Sequence, residues 1–283
     1  MSAVSAKPFE SSGLVRALVK YLNIFKASLI ERLAYRADFL LGTFLRLLPL
    51  LTTILLWKAV YHSKNEISGY SFRQVVAYLL LVHVSRMFSS MPGLASGVAR
   101  DIRDGNLKRY LIQPLDLMAY LLAYRMAHKV AYIVTSLPLY SVLFYFMGSF
   151  FDIPTDPKIY GAYVLALFLG FLIGFAFELS LGMLGFWFLE ISSFLYLVNT
   201  VNFFVSGHFL PLDLLDPWVA ATLKMLPMQY MAYFPAALFL GKIGNWDSII
   251  FGISVEICWC VFFFLLARFS YRLGLRRYGA YGG

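Results

Sequence analysis

IYGAYVLALFLGFLIGFAFELSLGMLGFWF, residues 159–188, holds one acidic side chain, Glu178, and no lysine or arginine. A stretch this long and apolar has no place on a soluble domain. A bilayer core of about 30 Å takes about 20 apolar residues as one helix, because the helix closes its own backbone hydrogen bonds where no water can. Outward from this segment, residues 39–57, 75–98, 117–146, 191–210 and 249–268 read as further spans. The 75–98 span is the weakest, since His83 and Arg86 interrupt it, while 117–146 and 159–188 exceed one crossing and imply tilt or extension. The expected fold is an all-α integral membrane chain of six transmembrane helices, one domain over residues 1–283.

Composition agrees. Of 283 residues 60% are hydrophobic and 14% charged, with a mean hydropathy of +0.72, against about 25% charged in an ordinary soluble domain. The apolar runs recur along the chain, so a cleaved signal peptide does not account for them. Residues 1–12 are polar and lack an apolar h-region, which leaves the first hydrophobic segment as a retained anchor. Cys258 and Cys260 sit inside an apolar run and read as packing residues.

The net charge of +9 follows topology. Lys and Arg cluster at residues 7–36, 100–129 and 268–277, and are sparse around residues 58–73, 158, 224 and 242. Cytoplasmic loops carry the excess of basic residues, so both ends are expected inside and no nucleic-acid role is needed. Within residues 1–36, Leu14, Val15, Leu18, Leu22, Phe25, Leu29 and Leu33 recur near helical spacing between basic residues. That pattern predicts an amphipathic helix at the cytoplasmic interface. Residues 211–247, with Asp213, Asp216, Pro217, Pro227, Pro235, Gly241 and Gly244, are too broken to span and too apolar for a free loop. Short helices entering the outer leaflet against protein, or a folded external loop with aromatic anchors, satisfy both facts.

No G-x-x-x-x-G-K-S/T run exists, so the chain has no P-loop for ATP. His62, His83, His128 and His208 are scattered without ligand spacing, and no G-x-S-x-G is present. Catalysis and metal binding are therefore disfavoured. Ionisable groups inside spans cost about 2.5–3.5 kcal/mol each at a helix centre. Arg46, Arg86, Glu178, Glu190 and Glu256 are in question: Arg46 and Glu190 lie near enough to span ends to snorkel. Glu178 or Glu256 either pairs with an arginine or, for Glu178, faces a pathway and favours a cationic or polar substrate. Gly170 and Gly174, followed by Gly182 and Gly185, read as helix packing. Phe194, Tyr196, Asn199, Asn202, Phe203 and Phe204 suit a dimer contact or a substrate-facing wall.

Residues 100–116, R-D-I-R-D-G-N-L-K-R-Y-L-I-Q-P-L-D, are dense in mixed charge. Ile102, Leu107, Tyr110 and Leu111 can share one helical face, and Pro114 stops the helix. Composition alone reads this equally as a helix docked on a partner and as a solvated turn.

Here the chain resembles the permease subunits of ABC type-2 exporters. The resemblance rests on L-A-Y-R-A-D-F-L-L at 33–41, I-R-D-G-N-L-K-R-Y-L-I-Q-P-L at 102–115, S-G-H-F-L-P-L-D-L-L-D-P-W at 206–218 with L-P-M-Q-Y-M-A-Y-F-P at 226–235, and the six-span order. It implies that residues 99–116 form the coupling helix seated on a separate ATP-binding subunit. The contact falls to Arg100, Asp101, Ile102, Arg103, Asp104, Gly105, Asn106, Leu107, Tyr110 and Leu111. It further implies re-entrant helices within 211–247 and a second permease chain, identical or homologous, around a shared pathway.

The resulting expectation is a subunit of an ATP-driven exporter in a bacterial cytoplasmic membrane. It holds no cofactor of its own, ATP and Mg being bound by two copies of the partner ATPase. Arg46, Glu178, Asn199, Asn202 and Glu256 are its candidates for the pathway or for intramembrane pairing, and residues 268–283 form a basic cytoplasmic tail. The alternative is a self-contained secondary carrier or channel using the intramembrane carboxylates as proton sites.

Overall fold

The computed structural model describes residues 13–34 and 36–278 of the chain. The readings of residues 1–12 and 279–283, of Tyr35 and of the Arg46 side chain lie outside the described residues. Helix makes up 80% of the structure. Among the described residues strand is confined to a two-residue ladder pairing Ile67 with Tyr70 and Glu66 with Ser71. The helices are α1 (Gly13–Ala34), α2 (Arg36–Val60), α3 (Phe72–Ser89), α4 (Leu94–Arg103), α5 (Lys108–Leu111), α6 (Leu117–Met147), α7 (Pro157–Gly182), α8 (Ser192–Val205), α9 (Pro217–Met225), α10 (Tyr233–Phe239) and α11 (Trp246–Arg277).

Local chemistry sets several starts. Ser71 and Gln74 close a reciprocal capping box at α3, with both side chain to backbone bonds at 3.3 Å. Asp116 accepts the Ala119 N–H at 3.0 Å at the head of α6. Asp156 caps α7, with Pro157 at its first position, where the missing N–H costs nothing.

Among the described residues five segments are long and apolar enough to cross a membrane: Leu40–Val60, Phe72–Arg103, Leu117–Phe150, Pro157–Phe186 and Trp246–Arg277. The expected span at 191–210 is the 14-residue α8, about 21 Å long at 1.5 Å per residue. By length it falls short of a crossing. The expected 75–98 span differs too: it runs on to Arg103 but is broken at residues 90–93, S-M-P-G, where Gly93 takes φ 73°. Pro92 lacks an N–H for the helix ladder, and the left-handed Gly93 redirects the chain into α4.

Burial separates an inner pair from an outer ring. The most apolar windows of the α3–α4 segment and of α7 are each 61% buried, whereas those of α2, α6 and α11 are 22–28% buried. The inner elements meet through glycines on α7 and on the 3-10 turn Met183–Phe186 that follows it. A Cβ on Gly174 would fall on the Ser89 carbonyl oxygen, and one on Gly185 would come within 2.8 Å of the Ala99 Cα. Gly182 lies as close to Ala95 and Val98, and Gly170 to the Tyr230 carbonyl. The expected intrachain packing by these four glycines is what the structure contains.

α1 lies against α6 through the half-buried Tyr21, Ile24 and Phe25 and the buried Ser28. Lys20 donates to the Pro114 carbonyl at 2.6 Å, and the Asp116 N–H donates to the Tyr21 hydroxyl at 3.0 Å. Val15, Leu18, Val19, Leu22, Ile30 and Leu33 face outward. The amphipathic helix therefore offers an apolar stripe away from the protein, with Phe25 turned inward instead of joining it. Arg268 and Arg272 to Arg277, expected to begin a tail, form the last turns of α11. Cys258 is exposed, Cys260 buried, and both are free thiols.

Gly174→Ala should destabilise the chain by about 1–3 kcal/mol, the usual cost of overpacking, whereas Gly161→Ala, with open space around it, should be neutral. Melting temperatures in detergent test this, and equal values for the two variants would refute the close α3–α7 crossing.

Candidate functional site

The break at residues 90–93 exposes backbone groups in the interior of the bundle, where each unsatisfied one is costly. Side chains from two other helices occupy them. On α6, Lys129 Nζ donates to the Met87 carbonyl at 2.6 Å and to that of Ser90, and Arg125 Nη1 donates to Pro92 O at 3.0 Å. Ser89 Oγ donates to Met231 O at 3.0 Å. On α7, the Glu178 side chain stands near enough to the Ala95 N–H, in the first turn of α4, and to Asn199 of α8 for both to act on its carboxylate. Gly93 brings no side chain to this helix start, and a negative charge near a helix N-terminus is favoured by the backbone dipoles. Arg125 lies close enough for its charge to act on Glu178.

Two adjoining cavities of about 280 and 320 Å3 open at this break. The first is lined by Glu178, Asn199, Asn202 and Gly174 among others, the second by Leu79, Val82, Tyr132, Tyr140 and Phe209. Arg86, Phe203 and His208 belong to both walls. The Arg86 guanidinium lies 5.1 Å from the centre of the Phe203 ring, and His83 Nε2 is 2.9 Å from the Tyr140 hydroxyl. His83 and Arg86, which weaken the span as sequence, are here cavity and packing groups.

Of the expected intramembrane residues, the structure brings Glu178, Asn199 and Asn202 together. Glu256 stands apart: it is fully buried on α11 beside Gly170, and neither oxygen has a hydrogen-bond partner among the described residues. The expected pairing of Glu256 with an arginine is not made. Glu190 is exposed and meets Arg103 at 3.1 Å.

The loop at residues 100–116 is shaped differently from one docked helix. Residues 100–103 are the end of α4, Gly105 turns the chain at φ 72°, and α5 adds a single turn. Ile102 and Leu107 are buried in the chain's own core at 5% and 1% exposure, whereas Leu111 is 44% and Ile112 83% exposed. The shared face expected for Ile102, Leu107, Tyr110 and Leu111 is therefore absent: the first two anchor the loop and only its tip is offered outward. Arg109 bonds Asp101 at 2.7 Å and the Tyr110 hydroxyl at 2.9 Å. Arg100, Arg103, Asp104, Asn106 and Lys108 are exposed around the tip. Asp116 closes the loop by an ion pair to Arg268 of α11. Partial burial works to raise the Asp116 carboxyl, but the Ala119 N–H and Arg268 outweigh it and hold it below the usual carboxylate range.

A second polar knot holds the opposite end. Asp213 accepts from the Tyr70 hydroxyl at 2.6 Å and from Tyr233 at 2.8 Å, and pairs with Lys224. Burial works to raise this carboxyl, yet Lys224 and the two tyrosines hold it low. The Tyr78 hydroxyl donates to Gly207 O at 2.6 Å. α8 therefore starts beside Arg103 of the 100–116 loop and finishes beside this knot.

Lys129, Arg125, Arg86, His208 and Ile112 carry more of the site than the sequence reading gave them. S-M-P-G inside an apolar segment, facing lysine and arginine well inside another, was the available signal.

An interrupted inner helix beside two cavities, inside a multi-pass helical bundle, suits a membrane transport subunit. The sequence model of the ABC-2 family transporter proteins matches residues 47–282, and the chain belongs to that family as a permease of an ABC transporter. Such permeases are transport subunits, not themselves catalytic, that generally work with an ATP-binding subunit and a membrane partner. Membership sets aside the self-contained carrier. Comparison with curated proteins finds none that matches the chain.

Lys129→Met should leave two carbonyls without donors, at about 1–3 kcal/mol each, and melt the protein earlier. An unchanged melting temperature would remove the clamp. Asp116→Asn keeps the cap but loses the charge pair, a partly exposed one that is worth about 1 kcal/mol or less. Because the folded carboxyl lies below its unfolded value, near 4, the stabilisation is present above that value and lost as pH falls through the folded one. The melting difference between wild type and variant should therefore be seen at pH 7 and vanish in strong acid; a difference that persists there contradicts the assignment.

Proposed function

We propose that this permease is one half of the membrane pathway of an ABC exporter in a bacterial cytoplasmic membrane. A second permease chain, identical or homologous, completes the pathway. Two copies of a separate ATP-binding subunit, carrying ATP and Mg, drive it from the side where residues 100–116 lie. The observation that carries this is the build of that loop: it is pinned by Leu107, Asp101–Arg109 and Asp116–Arg268, yet presents Leu111 and Ile112 outward inside a ring of charge. An exposed apolar tip on a rigid base suits insertion into a partner's groove. A permease without a P-loop receives work only through such a contact.

Six crossings with both ends inside remain our reading of the topology. Five helices have the length, and α8, with its flanking turns, runs from the Arg103–Glu190 pair to the Tyr78–Gly207 bond and serves as the sixth. The α8 surface supports a partner chain in the membrane: Phe194, Tyr196, Leu197, Val201 and Phe204 are exposed alongside the polar Asn199 and Thr200. Polar side chains on a membrane face are better covered by protein than by lipid. α10, buried between α3 and α7, supports the re-entrant reading of 211–247, since such backbone is tolerated at depth only against protein. Export is favoured by external segments too short to hold a substrate-binding domain.

Motion passes from the loop into the pathway through α4 and α7. The glycine contacts at Gly182 and Gly185 leave no layer of side chains between the two helices, so they shift as one body. The moving pair is thus α4 with α7.

Ile112→Glu tests the coupling surface cleanly, because the side chain touches little of its own chain. Gly105 is a poorer choice, since any side chain strains its turn. In the assembled complex Ile112→Glu should cut substrate-stimulated ATP hydrolysis at least tenfold while the melting temperature of the isolated permease stays unchanged. Normal stimulation with normal assembly would defeat the assignment.

A further inference from the structure

Charge around the break is lopsided, and the imbalance describes what the cavities accept. A third cavity of about 50 Å3 adjoins the other two, and Arg86, Ser90 and Pro92 line all three. Among the described residues on these walls, Arg86 of α3 and Arg125 and Lys129 of α6 are cationic, and Glu178 of α7 is the one carboxylate. The walls from α2 and α8 are uncharged, being Pro49, Leu50 and Thr53 on one side and Asn199, Asn202 and Phe203 on the other. His83, His128 and His208 stand on the same walls and can only add positive charge. α1 adds more from behind: the Arg32 guanidinium lies 5.1 Å from the centre of the Tyr124 ring, near enough for its charge to act on Arg125.

A cleft whose walls carry mostly one sign of charge, in low-dielectric surroundings, concentrates the opposite charge. Arg125 and Lys129 lie about 14 and 20 Å along α6 from its cap Asp116 at 1.5 Å per residue, and ionisable groups so far into a membrane-crossing helix mark ligand paths. The cations differ in what they offer. Lys129 and Arg125 hold the carbonyls of Met87, Ser90 and Pro92, with Arg125 giving one of the five N–H groups of its guanidinium to Pro92. Arg86 is exposed, with its guanidinium over the Phe203 ring, and a guanidinium edge is a fork that matches two phosphate oxygens. From Arg86 the cavity of about 320 Å3 continues along Leu50, Leu79, Val82 and Phe209. That wall suits hydrocarbon, and the two larger cavities are near the lower end of the range of about 300–1,000 Å3 usual for small ligands.

We propose that these cavities bind an amphiphile with an anionic phosphate headgroup: the phosphate sits at Arg86 with Arg125 and Lys129 behind it, and the hydrocarbon lies along the apolar wall. Glu178 opposes the anion from the first cavity and so confines the headgroup to the arginine side. A membrane lipid and a soluble phosphate ester share this headgroup chemistry, and the apolar wall selects the one with a chain. The inference rests on the permease reading for its relevance to transport, where it names the substrate class, though not for the binding itself.

Dodecyl phosphate, dodecylphosphocholine and inorganic phosphate are the probes, the second having the same chain and phosphate with the charge cancelled by choline. Binding is measured to the full chain with its ATP-binding partner in phosphatidylcholine vesicles, relative to protein-free vesicles. Dodecyl phosphate should bind at least tenfold tighter than dodecylphosphocholine. Arg86→Gln, which leaves the Lys129 and Arg125 contacts in place, should weaken dodecyl phosphate at least tenfold, whereas Lys64→Gln, at an exposed lysine away from the cavities, should not. Glu178→Gln should tighten dodecyl phosphate severalfold, a gain that misfolding cannot imitate. Inorganic phosphate should displace dodecyl phosphate only at a hundredfold higher concentration or more. Equal affinity for the two dodecyl probes, equal losses in Arg86→Gln and Lys64→Gln, or an affinity indifferent to both Arg86→Gln and Glu178→Gln overturns the proposal. Displacement by inorganic phosphate at equal concentration also overturns it, in favour of a soluble anion. If Ile112→Glu uncouples hydrolysis but the dodecyl probes bind alike, the exporter reading stands and the phosphate site falls. If dodecyl phosphate is preferred and hydrolysis ignores Ile112→Glu, the site stands and the coupling assignment falls.

Discussion

A helix that begins in the interior of a membrane protein has to find acceptors for its first N–H groups and donors for the carbonyls of the turn before it. That demand, set by residues 90–93, organises this chain. Lys129 and Arg125 reach across from α6 to the carbonyls, while Glu178 of α7 and Asn199 of α8 stand near the Ala95 N–H. Removing the break would return α3 and α4 to one continuous helix and leave a lysine, an arginine and a glutamate in apolar surroundings without their partners. The break and the buried charges stabilise one another.

The same constraint links the two functional surfaces. The cavities form where the chain turns away from helical geometry, and α4 leads from this break directly to the 100–116 loop. Glycines on α7 then fix α4 to the helix that carries Glu178. A displacement of the loop has no soft layer in which to dissipate before it reaches the cavity wall. Asp116–Arg268 below and the Asp213–Lys224 knot above tie the ends of this assembly to the other helices.

Much of this was legible in the sequence because hydrophobic length and charge placement are linear properties. Residues 159–188 announced a buried span, and Gly170 through Gly185 announced close packing. The family resemblance singled out residues 100–115. What could not be read is direction. Periodicity placed Ile102 and Leu107 with Leu111, but the turn at Gly105 sends the first two into the core and leaves Leu111 and Ile112 outside. The basic residues Arg125 and Lys129 counted as topology signals, and only the fold shows them capping a broken helix. α8 reads as a full span by composition because its flanks are apolar too, although its regular helix is 14 residues. Glu256, buried without a partner, has no role that the fold explains.

The proposed coupling requires α4 and α7 to move as one body under the drive of an ATP-binding partner. Distances between spin labels placed on exposed positions, Asn106 in the loop and Lys158 at the far end of α7, measure this most directly in a chain whose two cysteines are replaced by serine. On adding ATP to the assembled complex, the Asn106–Lys158 distance within one chain should stay constant while the Asn106–Asn106 distance between the two permeases changes. A change within the chain, with the separation between chains unaltered, would contradict it.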